Sequence, residues 1–168
     1  RVVLIYVEPY TLNEVMYMLT TLIDVTDQKQ YEHELVKLSR AVEQSPVSIV
    51  ITDLEGTIEY VNPKVVETTG YLPMELIGQN PRVLNSGEKT QEDYKIMYNT
   101  ILSGEVWQGE IHNKRKNGDL YWELASISPV INDEGVMTHF VAVKEDITSR
   151  KKLEAVLVEN ENLYRSIF

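Results

Sequence analysis

Residues 106–148 constrain the fold more than any other stretch of this chain. They read VWQGEIHNKRKNG, DLYWELASISPVIND and EGVMTHFVAVKEDIT, three runs of alternating polarity separated by short turns. A period of two belongs to strands with one packed face and one wet face, so the segment predicts an antiparallel three-stranded meander. Asn117-Gly118 predicts a two-residue type I′ turn, in which both positions take positive φ. Asp133-Glu134-Gly135 supplies the second turn. Trp107, Gly109, Ile111 and Asn113 share one face of the first strand, and Glu110, His112 and Lys114 share the other. Tyr121, Glu123, Ala125 and Ile127 share a face of the second strand; Phe140, Ala142 and Lys144 share a face of the third. Polar residues on such an inner face either hold a ligand or form a satisfied buried pair.

The rest of the chain frames this meander. RVVLIYVEP (1–9) and EVMYMLTTLIDV (14–25) are two β-rich runs joined at Thr11-Leu12-Asn13. Two strands alone do not make a stable domain. Asp27 to Gln44 predicts a helix with Tyr31, Leu35, Leu38 and Val42 on one narrow stripe, opened by Thr26-Asp27 as a cap. That stripe resembles a coiled-coil seam more than a core face. After Ser45-Pro46, VSIVITD and TIEYVNP predict a hairpin across Leu54-Glu55-Gly56. Short helical pieces follow over Lys64 to Thr69, Pro73 to Leu76 and about Asn80 to Asn85. A longer helix over Gln91 to Leu102 places Tyr94, Met97, Tyr98 and Ile101 on one side. Ser149 to Phe168 predicts a final helix with Leu153, Leu157, Asn160, Tyr164 and Ile167 in a second narrow seam.

Composition narrows the function classes. The chain has 168 residues and a net charge of −10, which argues against nucleic-acid binding. Its basic cluster Lys114-Arg115-Lys116 sits at a hairpin tip and reads as a solvated turn. Cysteine is absent, which excludes disulfides and thiolate chemistry and suits a cytoplasmic protein. No run is long enough to span a bilayer as a helix. Arg1 opens directly into strand-like sequence, so the chain reads as a piece cut from something longer.

A repeat is visible. Asp24-Val25-Thr26 recurs as Asp146-Ile147-Thr148, each after a β run and before a charged helix. Domain-sized spacing of this kind indicates an array of similar domains. The expected organisation is therefore the last two strands of a truncated domain (1–26), a linker helix (27–44), a complete domain (45–148) and an exit helix (149–168) leading to a further domain.

Taken together, SPVSIVITDLEGTIEYVNP, ETTGY, IGQNPRVLNSG, WQGEIHNKRKNGDLYW and VAVKEDIT resemble the PAS sensory domain over roughly residues 38–150. The resemblance implies an α+β fold: a five-stranded antiparallel sheet in the order 2-1-5-4-3, with short helices over one face and signalling helices on either side. It also implies a module of a bacterial signal-transduction protein, of the kinase or cyclic-nucleotide class, whose output enzyme lies outside these residues. GQNPRVL is similar to the signature of flavin-type members, so FAD or FMN is the cofactor implied. Asn80 and Arg82 match residues used around the flavin side chain, and Asn113 matches a contact to the ring edge. Tyr98 stands where a redox-sensing relative has a Trp, and Trp107 is a candidate for the pocket rim.

Departures from that pattern matter equally. The photoreactive Cys of the light sensors falls on Pro81, as does the pocket Glu of the redox sensor. A further ring-contacting Asn falls on Glu123, and the Gln of the last strand on Lys144. Glu123 and Lys144 are expected to face inward on neighbouring strands and to form an ion pair there. Haem is disfavoured, because His33, His112 and His139 all lie off the long helix that carries its ligand in haem-type relatives. A metal site is not expected. His33-Glu34 lacks the continuation of a phosphoacceptor motif, and no catalytic constellation stands out.

The expected mechanism runs from Asn113, Glu123 and Lys144 along the last strand to Asp146, Ile147 and Thr148. From there it shifts a homodimer packed through helices 27–44 and 149–168, with neighbouring PAS and output domains as further partners. The alternative is a ligand-free dimerisation and relay module with a closed core. The apolar residues of 1–25 are expected to pair as a hairpin and to bury one face against a partner chain.

Overall fold

A computed structural model describes residues 1–167. The chain divides into two units, Arg1–Val42 and Glu43–Phe168. The first begins with an antiparallel hairpin of β1 (Val3–Leu12) and β2 (Val15–Asp24). Its turn is Asn13-Glu14, both at positive φ, which keeps Asn13 of the expected Thr11-Leu12-Asn13 link and ends one residue beyond it. Paired this way, β1 continues through Pro9 to Leu12. Helix α1 (Thr26–Glu43) follows. Apolar side chains on both faces of the hairpin are exposed among the described residues.

The second unit is built on a five-stranded antiparallel sheet. In chain order its elements are β3 (Ser48–Thr52), β4 (Ile58–Val61), α2 (Pro63–Thr69), α3 (Pro73–Leu76), a 3₁₀ turn (Pro81–Leu84), α4 (Gln91–Leu102), β5 (Trp107–Lys114), β6 (Leu120–Ile131), β7 (Met137–Asp146) and α5 (Thr148–Ile167). The sheet order is β4-β3-β7-β6-β5, which is the expected 2-1-5-4-3. Strand β3 is buried at Ser48, Val50 and Thr52 and partly exposed between them, so its alternation selects an inner face. Val50, Ile58, Val61, Val65 and Leu76 form a core where α2 and α3 cover that face. Asn62 fixes this corner: its Oδ1 accepts from the Ile49 amide at 2.9 Å and its Nδ2 donates to the Val47 carbonyl at 3.0 Å.

Two local expectations change. The β5–β6 turn is not type I′, because only Gly118 takes positive φ. Instead the Gly118 amide donates to the Arg115 carbonyl, and the Asp119 amide donates to Asn117 Oδ1, a longer loop closed by the asparagine side chain. Nor does Thr26 cap α1. Asp24 Oδ1 accepts from the Thr26 amide at 3.0 Å and from its hydroxyl at 2.5 Å.

The repeat read from the sequence recurs in the bonding. Val3 pairs with Asp24 as Glu123 pairs with Asp146. The Val25 amide donates to the Val2 carbonyl, as the Ile147 amide does to Trp122. The Val2 amide donates to Thr26 Oγ1 as the Trp122 amide does to Thr148 Oγ1. Asp24 and Asp146 each accept from the amide two residues on. The two strand-to-helix junctions thus share one set of bonds.

Candidate functional site

The inner face of the sheet and the inward side of α4 enclose a cavity of about 390 Å³. Its wall is mostly apolar: Val50 from β3, Met97 and Ile101 from α4, Ile111 from β5, Ile127 from β6, and Phe140 and Ala142 from β7. Period two on the strands and the 94-97-98-101 spacing on α4 place these side chains together, as the sequence predicts. Helix α4 is held at its entry by a reciprocal cap. Thr90 Oγ1 accepts from the Asp93 amide at 3.2 Å, while Asp93 Oδ2 accepts from the Thr90 amide at 2.9 Å.

Polar groups concentrate in two regions. Asn113 and Lys144 belong to the wall itself, and Glu123, 1% exposed, lies behind them. Asn113 Nδ2 donates to Glu123 Oε2 at 2.7 Å and Lys144 Nζ donates to the same oxygen at 3.2 Å. The second oxygen, Oε1, accepts from the Tyr121 hydroxyl at 3.1 Å. The expected ion pair is therefore present, inside a four-residue network. Burial and the adjoining Glu123 carboxylate push the Tyr121 phenol far above its ordinary range, which keeps it a neutral donor.

The other polar region holds Arg82, Lys89, Asn80, Gln91, Tyr94 and Tyr98. Asn80 is already engaged: its Oδ1 accepts from the Arg82 amide at 3.1 Å and Nε at 3.0 Å, and its Nδ2 donates to the Gly56 carbonyl at 3.1 Å. Gly56, at φ +84°, allows this approach; a Cβ there would lie 2.8 Å from Asn80 Nδ2.

Of the residues picked out in the sequence, Asn80, Arg82, Tyr98, Asn113 and Lys144 line the cavity. Trp107 does not. Its ring lies over Gly109, within 2.7 Å of where a Cβ would stand, and Lys89 Nζ sits 4.7 Å above it. Glu123 acts on the wall only through Asn113 and Lys144. Lys89, Gln91 and Tyr94 were not singled out as site residues, although Tyr94 lies on the predicted face of α4.

The basic hairpin tip is not simply a solvated turn. Arg115 donates to the Thr68 carbonyl at the end of α2, pairs with Asp146 at 2.6 Å, and stacks 4.2 Å from the Tyr121 ring. Lys116 pairs with Glu75 at 2.6 Å. Asp146 is pushed up by partial burial, but the Thr148 and Arg115 hydrogen bonds outweigh this and hold it below the usual carboxylate range. On the opposite face of the sheet, His112 stacks on Trp122 at 4.4 Å, and Lys151 of α5 sits over the same indole and pairs with Glu110 at 2.5 Å. Among the described residues no cluster of His, Cys, Asp or Glu could hold a metal ion, and no helix is long and apolar enough to cross a membrane.

The fold and cavity define a class. Residues 46–149 match the PAS domain family model, and the chain belongs to that family. It is 36% identical over 126 residues to a nitrogen fixation regulatory protein of Klebsiella oxytoca, covering 75% of this chain and 26% of that protein. It is 31% identical to the aerotaxis receptor of Escherichia coli, covering 69% of this chain and 22% of the receptor. Among solved structures, an RNA-binding Light-Oxygen-Voltage receptor superposes with a TM-score of 0.70 at 27% identity, over 79% of this chain and 38% of that one. The chain thus spans about a quarter of the length of these curated relatives.

Proposed function

We propose that this chain is a sensory PAS module that takes a planar, flavin-sized ligand in the cavity above Asn113 and Lys144. One observation carries this reading: the inner face is not closed. About 390 Å³ lies within it, inside the range of roughly 300–1,000 Å³ typical of small-molecule sites. A ligand-free module would fill that space with side chains. The regulatory and receptor roles named for the relatives support the sensory part of the reading.

The donor set fits a flavin. Lys144 Nζ and Asn113 present polar groups along one region of the wall, and Arg82 and Lys89 offer cations elsewhere in it. Bound flavin would supply reversible redox chemistry. The chain's own residues would orient the ring between α4 and the sheet, exclude water with Met97, Ile101, Ile127 and Phe140, and hold Lys144 in place against Glu123. No residue here forms a thiol adduct, since the chain has no cysteine. Incubation with FMN or FAD, followed by desalting and absorption spectroscopy, tests the reading. Retained yellow colour with a raised melting temperature is expected. Colourless protein with an unchanged melting temperature returns the module to ligand-free relay.

The organisation supports a relay in series. The hairpin and α1 repeat the bonding of β6, β7 and the start of α5, so residues 1–26 act as the closing strands of a second PAS-like sheet. Helices α1 and α5 then carry signals between such units, and dimerise through stripes that include Leu35, Leu38, Leu153 and Leu157, all exposed in the single chain. On this reading no catalysis is carried by these residues, the setting is cytoplasmic, and the output belongs to a two-component or similar signalling protein.

A further inference from the structure

We propose that Tyr121 and Arg115 form the side-chain route by which the state of the cavity reaches the start of α5. Neither residue touches the cavity, and neither belongs to α5. Both oxygens of Glu123 are committed: Oε2 to Asn113 and Lys144, Oε1 to the Tyr121 hydroxyl. A ligand that draws Asn113 or Lys144 toward itself leaves the carboxylate with one donor fewer beside the Tyr121 hydroxyl. That hydroxyl bond then strengthens, because donors to one carboxylate compete for its negative charge and each gains when another is withdrawn.

Tyr121 is fully buried, and its ring supports the Arg115 guanidinium at 4.2 Å. Electron density given to the phenol by a stronger bond to Glu123 deepens the ring's attraction for the cation. The guanidinium holds Asp146 Oδ2 at 2.6 Å and the Thr68 carbonyl. Asp146 Oδ1 accepts from the amide of Thr148, the first residue of α5, at 2.9 Å. Four side chains, Glu123, Tyr121, Arg115 and Asp146, therefore link the wall residues Asn113 and Lys144 to the first amide of the exit helix without a gap. The backbone of β7 is a stiffer conductor, because β3 and β6 bond it on both edges as far as Lys144.

The route rests on the cavity being the sensory site, but its test needs no ligand. Tyr121→Phe keeps the ring under Arg115 and removes only the hydroxyl. The experiment is a double-mutant cycle of Glu123→Gln and Tyr121→Phe in the 168-residue chain, read by amide hydrogen exchange. In the wild-type background, Glu123→Gln is expected to speed exchange of the α5 amides from Lys151 to Leu157 about fivefold relative to those of β3 and β7. In the Tyr121→Phe background the same substitution should change that ratio less than about twofold.

Equal acceleration in both backgrounds overturns the route, as does no acceleration in either. A merely structural Tyr121 would shift sheet and helix amides together and leave the ratio alone. If Glu123→Gln does not fold, Asn113→Ala takes its place in the cycle with the same two readings. A chain that binds no flavin leaves this result standing, and an additive cycle leaves the binding result standing.

Discussion

Lys144 Nζ lies 3.2 Å from Glu123 Oε2 on the inner face of the sheet, with 7% and 1% of the two side chains exposed. Desolvating two charges costs several kcal/mol each, and their attraction offsets this only while both are present. Lys144→Met alone should therefore destabilise the domain by about 3–5 kcal/mol. Glu123→Leu combined with Lys144→Met should regain at least half of that loss, with Tyr121 and Asn113 still short of a partner. Urea unfolding of the singles and the double decides it: additive losses would mean that the pair is not coupled.

The cavity should be fillable. Ala142 lies on its wall between Phe140 and Lys144. Ala142→Phe should weaken FMN uptake at least about tenfold by occupying the space, with little change in melting temperature. Titration by flavin fluorescence quenching, beside a thermal melt, separates lost space from lost fold.

Gly56 joins the β3–β4 turn to Asn80. Its φ of +84° and the 2.8 Å approach of Asn80 Nδ2 leave no room for a side chain. Gly56→Ala should cost about 1–2 kcal/mol from the left-handed backbone alone. Asn80 must also give way, so Arg82 loses its acceptor. A melt together with the Arg82 Nε–H resonance reports both effects.

Acid should loosen the start of α5 before it unfolds the sheet. The pKa of Asp146 is depressed in the folded protein by hydrogen bonds from Thr148 and Arg115 that outweigh its burial. A depressed carboxylate stabilises the fold above its unfolded pKa of about 3.9 and loses that contribution as pH falls through the folded value. Below about pH 4 the Thr148 amide should shift and exchange faster, and Asp146→Asn should abolish that step. Asp24, lowered chiefly by its hydrogen bond from the Thr26 side chain, should show a parallel step at Thr26.

The exposed stripes of α1 and α5 predict association. Sedimentation of the 168-residue chain should give a dimer, and Leu153→Glu with Leu157→Glu should give a monomer of unchanged sheet content by circular dichroism. A monomeric parent chain would remove the coiled-coil reading of these helices. Ile167 also belongs to the predicted seam, and its side chain lies outside the described residues.

Strand alternation made much of the fold and site legible. It placed Glu123 and Lys144 on one face of adjacent strands, and it selected the wall residues Ile111, Asn113, Phe140 and Ala142. Helical spacing did the same for Tyr94, Met97, Tyr98 and Ile101. Turn chemistry was less legible. Glu14 takes φ of +61° without being a residue that favours it, because the pairing of β1 with β2 imposes the turn. Asn117, which does favour it, stays out of that region because its side chain closes a longer loop. Arg115 read as a surface charge, since its partners Thr68, Tyr121 and Asp146 come from three other parts of the chain. Trp107 was drawn to the cavity by its type, whereas the absence of a side chain at Gly109 lets it lie flat along the strand instead.

At the places where β6 and β7 carry Glu123 and Lys144, the hairpin β1–β2 carries Val3 and Leu22. The two strand pairs share their junction bonds and differ in what lies on this face. At Glu123 and Lys144, 1% and 7% exposed, no single substitution leads safely to an apolar pair, because the intermediate holds one unpaired charge in a dry interior. Drift at either position alone is closed off. Glu123 and Lys144 are therefore bound to change together or not at all, even where every surface residue around them turns over.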